Sequence, residues 1–425
     1  MLFKEITSEQ FDSFSKQFSN TNFWQSTSMA GLREWNGWKS AYVALLEEDN
    51  IICATMLSYR EVFMNTTFVQ AVRGFLIDFQ DSNLFDMFHK EVINYSKEVL
   101  HAMYFKIDPY IIHVERDCDG NVVDGGINNE YIVEHMKQLG YQHMGYLRGN
   151  DIAREPNWMF VLDLRNKTQD ELLTSFDQQT RWSINKTIKM GVEVREVSQD
   201  NLQEFKDIME HTAKRRGFED HNMHYYEGLF KNFYPQGRMK AYEAVLDLHT
   251  YATRLQGEKT HALEELEETE KALETLQNSK KFNKKKKVLV EDITLLDKKL
   301  LEIDNLRTKT NDGILRLAAA TFILYGKEVM YLYSGAYEEY MKFNGPYAIQ
   351  WHIIRHALAL GYERYNFYGI SGIFEKDAED YGIYEFKKGF TGVVEELIGD
   401  FYYDILPGKR KLYEALRKMK HLLKK

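Results

Sequence analysis

Cysteine, proline and long apolar runs are all scarce in this chain. Its 425 residues include two cysteines, Cys53 and Cys118, and five prolines. Two thiols make no disulfide framework, so both are expected to be unpaired in a reducing compartment. Few prolines alongside 27 tyrosines and 26 phenylalanines argue against long disordered segments. No apolar stretch reaches the roughly 18 residues that a membrane span needs, and Met1-Leu2-Phe3-Lys4 runs straight into polar residues. Neither a span nor a cleavable signal is expected, and a cytoplasmic location follows.

Chemical signatures are just as sparse. There is no G-x-x-x-x-G-K-[ST] phosphate loop, no G-x-G-x-x-G behind a strand, no H-E-x-x-H and no paired-cysteine motif. The 13 histidines are scattered, and no spacing among them suggests a metal. An acetyl-coenzyme A loop of the R-x-x-G-x-G type is absent, as are the signatures of tRNA-charging enzymes.

What is present is patterned charge and alternating helix and strand. The net charge of −9 argues against a nucleic-acid partner, but local patches govern phosphate binding. Asn278 to Lys287 holds six lysines and no acid, and Lys409 to Lys425 holds eight basic residues against Glu414 alone. Either patch can be a plain solvated surface; the second also suits an anionic membrane face.

In the first half, Ala41 to Leu46, Ile51 to Tyr59 and Thr67 to Asp78 read as strands, antiparallel because their connections are too short for helical crossovers. A helix over Ser82 to Leu100 feeds a strand, Tyr104 to Ile107, that halts at Asp108-Pro109. The second half repeats the plan. Lys167 to Met190 reads as one helical region, followed by strands over Val192 to Val197 and Arg238 to Leu248. Leu315 to Leu324 and Glu328 to Ser334 are further strands. A helix from Ala348 ends at Gly361, and Tyr365-Asn366-Phe367-Tyr368 then stops at Gly369-Ile370-Ser371-Gly372. The chain therefore reads as two copies of one α/β unit: residues 1–150, and residues 151–250 with 313–425.

Residues 251–312 differ. This stretch has no proline and one glycine. Leu263, Leu266, Leu273 and Leu276 form one heptad-like stripe, and Ile293, Leu296, Leu300, Ile303 and Arg307 another, with the lysine cluster between them. That is the pattern of an antiparallel coiled-coil hairpin with a basic tip. Its first arm is acidic and the start of its second basic, so the arms can pair by charge.

Several strings then point to a family. "RGFLID", "KIDPY", "YNFYGISG", "EDYG" and "FKKGF", in this order, resemble the Fem family (FemABX) of peptidoglycan-bridge aminoacyltransferases, especially its FemA/FemB branch. The resemblance covers nearly the whole chain and implies two tandem acetyltransferase-like (GNAT) domains with the helical arm inserted in the second. It implies transfer of glycine, alanine or serine from charged tRNA to the peptide stem or growing bridge of a lipid-linked muropeptide at the inner membrane face. The charged tRNA is a co-substrate and no cofactor is implied. A homo-oligomer or a partner transferase of the same family fits the same picture.

Carried onto this sequence, the resemblance assigns catalysis to Asp108 and Lys388. Asp108 would orient or deprotonate the attacking amine, and Lys388 would stabilise the oxyanion. Alternation about Phe386 and Phe390 would turn one of the two lysines outward. Substrate binding falls to Lys39, Arg73, Arg215, Arg216, Tyr331, Tyr333, Tyr368, Gly369 and Lys387. Apart from the resemblance, the basic tip formed by Lys280, Lys281, Lys284, Lys285, Lys286 and Lys287 would hold tRNA, or the hairpin would serve as a dimerisation or spacer arm. Two alternatives stay open: a coenzyme A-dependent N-acetyltransferase, and a non-enzymatic coiled-coil protein that binds RNA or oligomerises.

Overall fold

Short turns fix the first sheet. The computed structural model describes residues 1–149, 151, 154–276 and 279–422. Its first strands are β1 (Leu2–Glu5), β2 (Lys39–Glu47), β3 (Asn50–Phe63), β4 (Thr66–Arg73), β5 (Ala102–Pro109), β6 (Ile112–Glu115) and β7 (Gln142–His143). Two-residue loops close β2 onto β3 and β3 onto β4. Glu48, Asp49, Met64 and Asn65 all take positive φ there (47° to 71°), the turn geometry that suits the right-handed twist of the flanking strands.

The second half supplies β8 (Trp158–Asp163), β9 (Glu193–Glu196), β10 (Met239–Asp247), β11 (Ile314–Tyr325), β12 (Glu328–Ala336), β13 (Arg364–Ile370), β14 (Val393–Leu397) and β15 (Phe401–Asp404). One sheet runs β1-β2-β3-β4-β5-β15-β7 and the other β6-β14-β8-β13-β12-β11-β10-β9. Each has one parallel pair among the described residues. β4 meets β5 across helix Ser82–Glu98, and β12 meets β13 across helix Gly345–Ala359. Both sheets are thus built around the same β–α–β device.

The sheets do not divide at residue 150, however. β15 sits between β5 and β7 in the first sheet, while β6 pairs with β14 in the second. A strand's residues show that it is a strand, but its partner is chosen by packing between distant segments. A third core joins the lobes, with Phe11, Phe23 and Met56 from the first half packed with Phe205, Tyr226 and Phe230 from the second.

The region read as one helix over Lys167 to Met190 is two, Gln169–Ser175 and Gln178–Met190. Asp177 breaks it by capping the second helix, its carboxylate accepting from the Thr180 amide at 2.6 Å.

The insertion is a hairpin of two 28-residue helices, Leu248–Thr275 and Lys280–Arg307. At 1.5 Å per residue each is about 42 Å long. The helices run antiparallel, and charge pairs cross between them: Lys259–Asp297 at 2.5 Å, Lys285–Glu265 at 3.1 Å and Lys286–Glu270 at 2.8 Å. Leu296 and Ile303 are buried as the second stripe requires. In the first stripe, Leu263 and Leu276, the latter just past the helix end, are instead exposed, while Leu255 and Thr269 of the first helix are buried. The seam there passes through smaller and more polar side chains that a leucine count overlooks. Asn278 of the lysine-rich tip and residues 423–425 of the basic tail lie outside the described residues.

Candidate active site

β12 and β13 pair over only three positions, from Glu328 with Arg364 to Met330 with Asn366. Beyond them both strands are irregular. In β12, Tyr333 pairs with Thr321 but Tyr331 with Phe322, so Leu332 is an extra residue. Such a bulge re-aims the side chains around it. Tyr331 stacks on Phe322 and lines a cavity, whereas Tyr333 turns toward helix Met223–Phe233, its hydroxyl 2.9 Å from that of Tyr225. In β13, pairing with β8 shifts between Asn366 and Gly369, and Tyr368 takes φ 63°.

The cavity, about 590 Å³, opens where these strands part. Ala318, Ala319 and Ala320 of β11 and Gly335 of β12 line it with small side chains. Tyr347, Gln350, Phe367 and Phe386 add bulk, and Arg215 and Arg216, exposed at the end of helix Leu202–Arg216, bring positive charge. Gly369 is tightly constrained: a Cβ there would lie 2.6 Å from the Pro156 ring.

Lys387 is the group of greatest chemical interest. "EDYGIYEFKK" forms a helix, Tyr381–Lys388, rather than an alternating strand, and adjacent residues on a helix point about 100° apart. Lys387 turns into the cavity wall at 6% exposure, its Nζ donating to the Gly369 carbonyl at 2.6 Å and to that of Tyr368 at 3.4 Å. Burial pushes its pKa down to about 7, against the opposing pull of Asp380. The amine is therefore available in both protonation states near neutral pH.

Lys388 points elsewhere. It is part-exposed, pairs with Asp119 and lies 5.7 Å from the centre of the Tyr384 ring. Lys388, expected with Asp108 to carry the catalysis, is therefore not on the wall of this cavity. Asp108 is not on the cavity wall either. It is 2% exposed, with its Oδ2 3.4 Å from Nη1 of the equally buried Arg73. Burial raises the Asp108 pKa, while Arg73 and Lys106 pull it down. Arg73 Nη2 donates to the Pro156 carbonyl at 2.6 Å, and Pro156 itself lines the cavity. Arg73 and Asp108 thus support the wall from behind.

Of the remaining expected residues, Arg215, Arg216, Tyr331, Tyr368 and Gly369 gather at the cavity. Lys39 does not: it lies in a separate cleft of about 440 Å³ on the first lobe, with Tyr59, Tyr95 and His101. The lysines of the hairpin stand at its far end, and Lys285 and Lys286 are already paired with glutamates of the facing helix. The hairpin is tied beside the cavity, since Glu302 pairs with Lys342, next to the lining residue Met341.

Sequence reasoning missed Glu155 and Gln350. Glu155 accepts a hydrogen bond from the Tyr368 hydroxyl, and burial followed by that carboxylate holds Tyr368 well above the usual tyrosine range. Gln350, buried in helix Gly345–Ala359, accepts from the Tyr365 hydroxyl. Neither stands in a motif, and only the fold brings them to the site.

Known proteins resemble this chain in sequence and fold. The FemAB family matches residues 6–418. Aminoacyltransferase FemB of Staphylococcus epidermidis is 33% identical over 427 residues, spanning 100% of both chains. Aminoacyltransferase FemA of the same species is 30% identical over 421 residues, spanning 99% of this chain and 100% of that one. The crystal structure of FemX superposes with a TM-score of 0.80 at 23% identity, covering 97% of this chain and 99% of the other, which shows a common fold. A match of that extent, with relatives aligned from end to end, establishes that the chain belongs to the FemAB family.

Proposed function

We propose that this aminoacyltransferase moves glycine, alanine or serine from charged tRNA to an amine on the peptide stem or growing bridge of a lipid-linked cell-wall precursor, working from the cytoplasm at the inner membrane face. The observation that carries this reading is Lys387, a buried amine with a pKa near 7 in the wall of a cavity whose rim bears Arg215 and Arg216. The family relatives named as aminoacyltransferases support the reaction class. The paired β–α–β crossovers fit the twin acetyltransferase-like architecture.

The chemistry asks little of the protein beyond placement and proton handling. An aminoacyl ester is already activated, so holding it against an amine supplies much of the rate. Neutral Lys387 accepts a proton from the attacking ammonium. The freed amine forms a C–N bond with the ester carbonyl, giving a tetrahedral intermediate. As that intermediate collapses, the ester C–O bond breaks, the Lys387 ammonium gives its proton to the departing ribose oxygen, and the new amide nitrogen releases its second proton to solvent. The products are an amide and uncharged tRNA, with Lys387 restored. Arg215 and Arg216 suit the phosphates of either substrate through the fork of the guanidinium group. Lys280, Lys281, Lys284 and Lys287 at the hairpin tip suit the tRNA backbone, with Lys285 and Lys286 holding the two helices together.

Incubating the pure protein with lipid-linked precursor and glycyl-, alanyl- or seryl-tRNA tests the reading by product mass. One of the three should extend the peptide by a single residue. No transfer from any of them would remove the proposal. Acetyl-coenzyme A should leave the melting temperature unchanged, whereas a saturable rise would favour the acetyltransferase alternative.

A further inference from the structure

The last helix, Pro407–Leu422, is amphipathic in the reverse of the usual sense for a surface helix. The face it turns toward the first lobe is polar and aromatic. Arg410 lies over the rings of Tyr104 and Tyr402, pairs with Asp404 and donates to Glu414 at 2.9 Å, while the ring of Tyr413 is 5.7 Å from that of Phe63. Leu412, Leu416 and Met419 point the other way, at 48%, 40% and 51% exposure. With 100° per residue, these three fall within about 60° of one another, on the side of the helix opposite Arg410. Lys409 borders this stripe on one flank, and Lys411 and Lys418 on the other.

We propose that this outward face lies on an anionic lipid bilayer, with its apolar stripe in the acyl boundary and its flanking lysines at the headgroups. An apolar strip between cationic margins is what such a surface complements. A second copy of the chain fits poorly. A 16-residue helix offers a face of roughly 24 by 10 Å, well short of the ~800 Å² per partner of a stable dimer. Docking helix on helix would also bring like charges together. Nucleic acid would take the lysines but leave the leucines and the methionine in water. No helix among the described residues is long and apolar enough to cross a membrane, so attachment by this face is peripheral. The inference goes beyond the acyl-transfer reading and does not depend on it.

Sedimentation of the full chain with extruded vesicles tests it. The protein should pellet with phosphatidylcholine vesicles containing about 30% phosphatidylglycerol, should stay in the supernatant with pure phosphatidylcholine, and should release as salt is raised. Leu412→Glu with Leu416→Glu should weaken binding at least about tenfold, and so should Lys411→Glu with Lys418→Glu. All four positions lie on the outward face, so an unchanged melting temperature confirms folding; Leu412→Ser with Leu416→Ser serves if the acidic pair misfolds. Wild-type protein that ignores anionic vesicles overturns the proposal. So does a leucine double variant that binds them as well as wild type. A dimer in sedimentation velocity that the same variant abolishes would assign the face to a second copy instead.

Discussion

Replacing Lys387 by Met tests the site most directly, because the side chain keeps its length and loses only its amine. A positioned base contributes roughly 10²–10⁴ in rate, so kcat/KM should fall at least about a hundredfold. The pH dependence is the sharper readout. With a pKa of about 7 in the fold, the base form should lose about tenfold for each pH unit below that value and level off above it. The acceptor amine titrates too, but identically in both proteins. The ratio of wild-type to Lys387→Met rates should therefore climb tenfold per unit up to about pH 7 and then flatten. Stability should respond over a higher pH window than activity. The folded pKa lies below the unfolded one, so between them the unfolded chain binds more protons, and the wild type gains stability as pH rises from about 7 toward 10.5. The shift corresponds to about 5 kcal/mol at most, partly offset in the variant by about 1–3 kcal/mol for the orphaned Gly369 and Tyr368 carbonyls. Lys387→Met should thus melt no lower than wild type near neutral pH and lose the alkaline gain. A variant rate within threefold of wild type, or a rate ratio flat across pH, would refute the assignment.

Other outcomes follow from the same geometry. Lys388→Met should change turnover less than about threefold, since its exposed pair with Asp119 contributes about 0–1 kcal/mol; a hundredfold loss in the same assay would return Lys388 to the chemistry. Arg73→Met should strand the buried Asp108 carboxylate and lower stability by about 3–5 kcal/mol in denaturant unfolding, with Arg73→Met plus Asp108→Leu recovering most of it. If the double variant is as unstable as the single, the pair is not what the arginine serves. Removing all of residues 251–312 should open the core beneath the second sheet, because Leu255, Leu296, Ile303 and Leu306 pack there with Phe160, Leu317 and Phe367. Replacing only residues 263–292 with a short turn should keep the melting temperature within a few degrees and weaken tRNA binding at least about tenfold by filter retention; unchanged binding would clear the tip lysines.

Much of the local structure was legible because it rests on neighbouring residues. Paired apolar and turn residues announced β2, β3 and β4, Gly361 marked the end of the helix before β13, and the opposed charges of the hairpin announced its cross-pairs. The site was legible only in part. Motifs led to the stretches "YGISG" and "FKKGF" that line the cavity, yet of the two lysines expected there it is Lys387 that enters the wall, while Lys388 pairs with Asp119. That choice depends on whether Phe386 to Phe390 alternates as a strand or rotates as a helix, and the packing of Tyr384 and Lys387 against the second sheet selects the helix. Tyr333 parted from Tyr331 for a related reason. Two residues apart on a regular strand they would share a face, and one inserted residue at Leu332 separates them.

The sequence by itself therefore determined the elements, the charge pairing of the hairpin and the family, all of which are written in short-range pattern or in strings of residues. Only the tertiary structure decided that β15 crosses back into the first sheet, that Asp108 stands behind the cavity wall, and that Lys387 loses its water. Those outcomes depend on desolvation and on contacts between separate elements, from 18 residues apart for Lys387 and Gly369 to about 300 for β15 and β5, and no local pattern encodes which surface will exclude solvent from a given side chain.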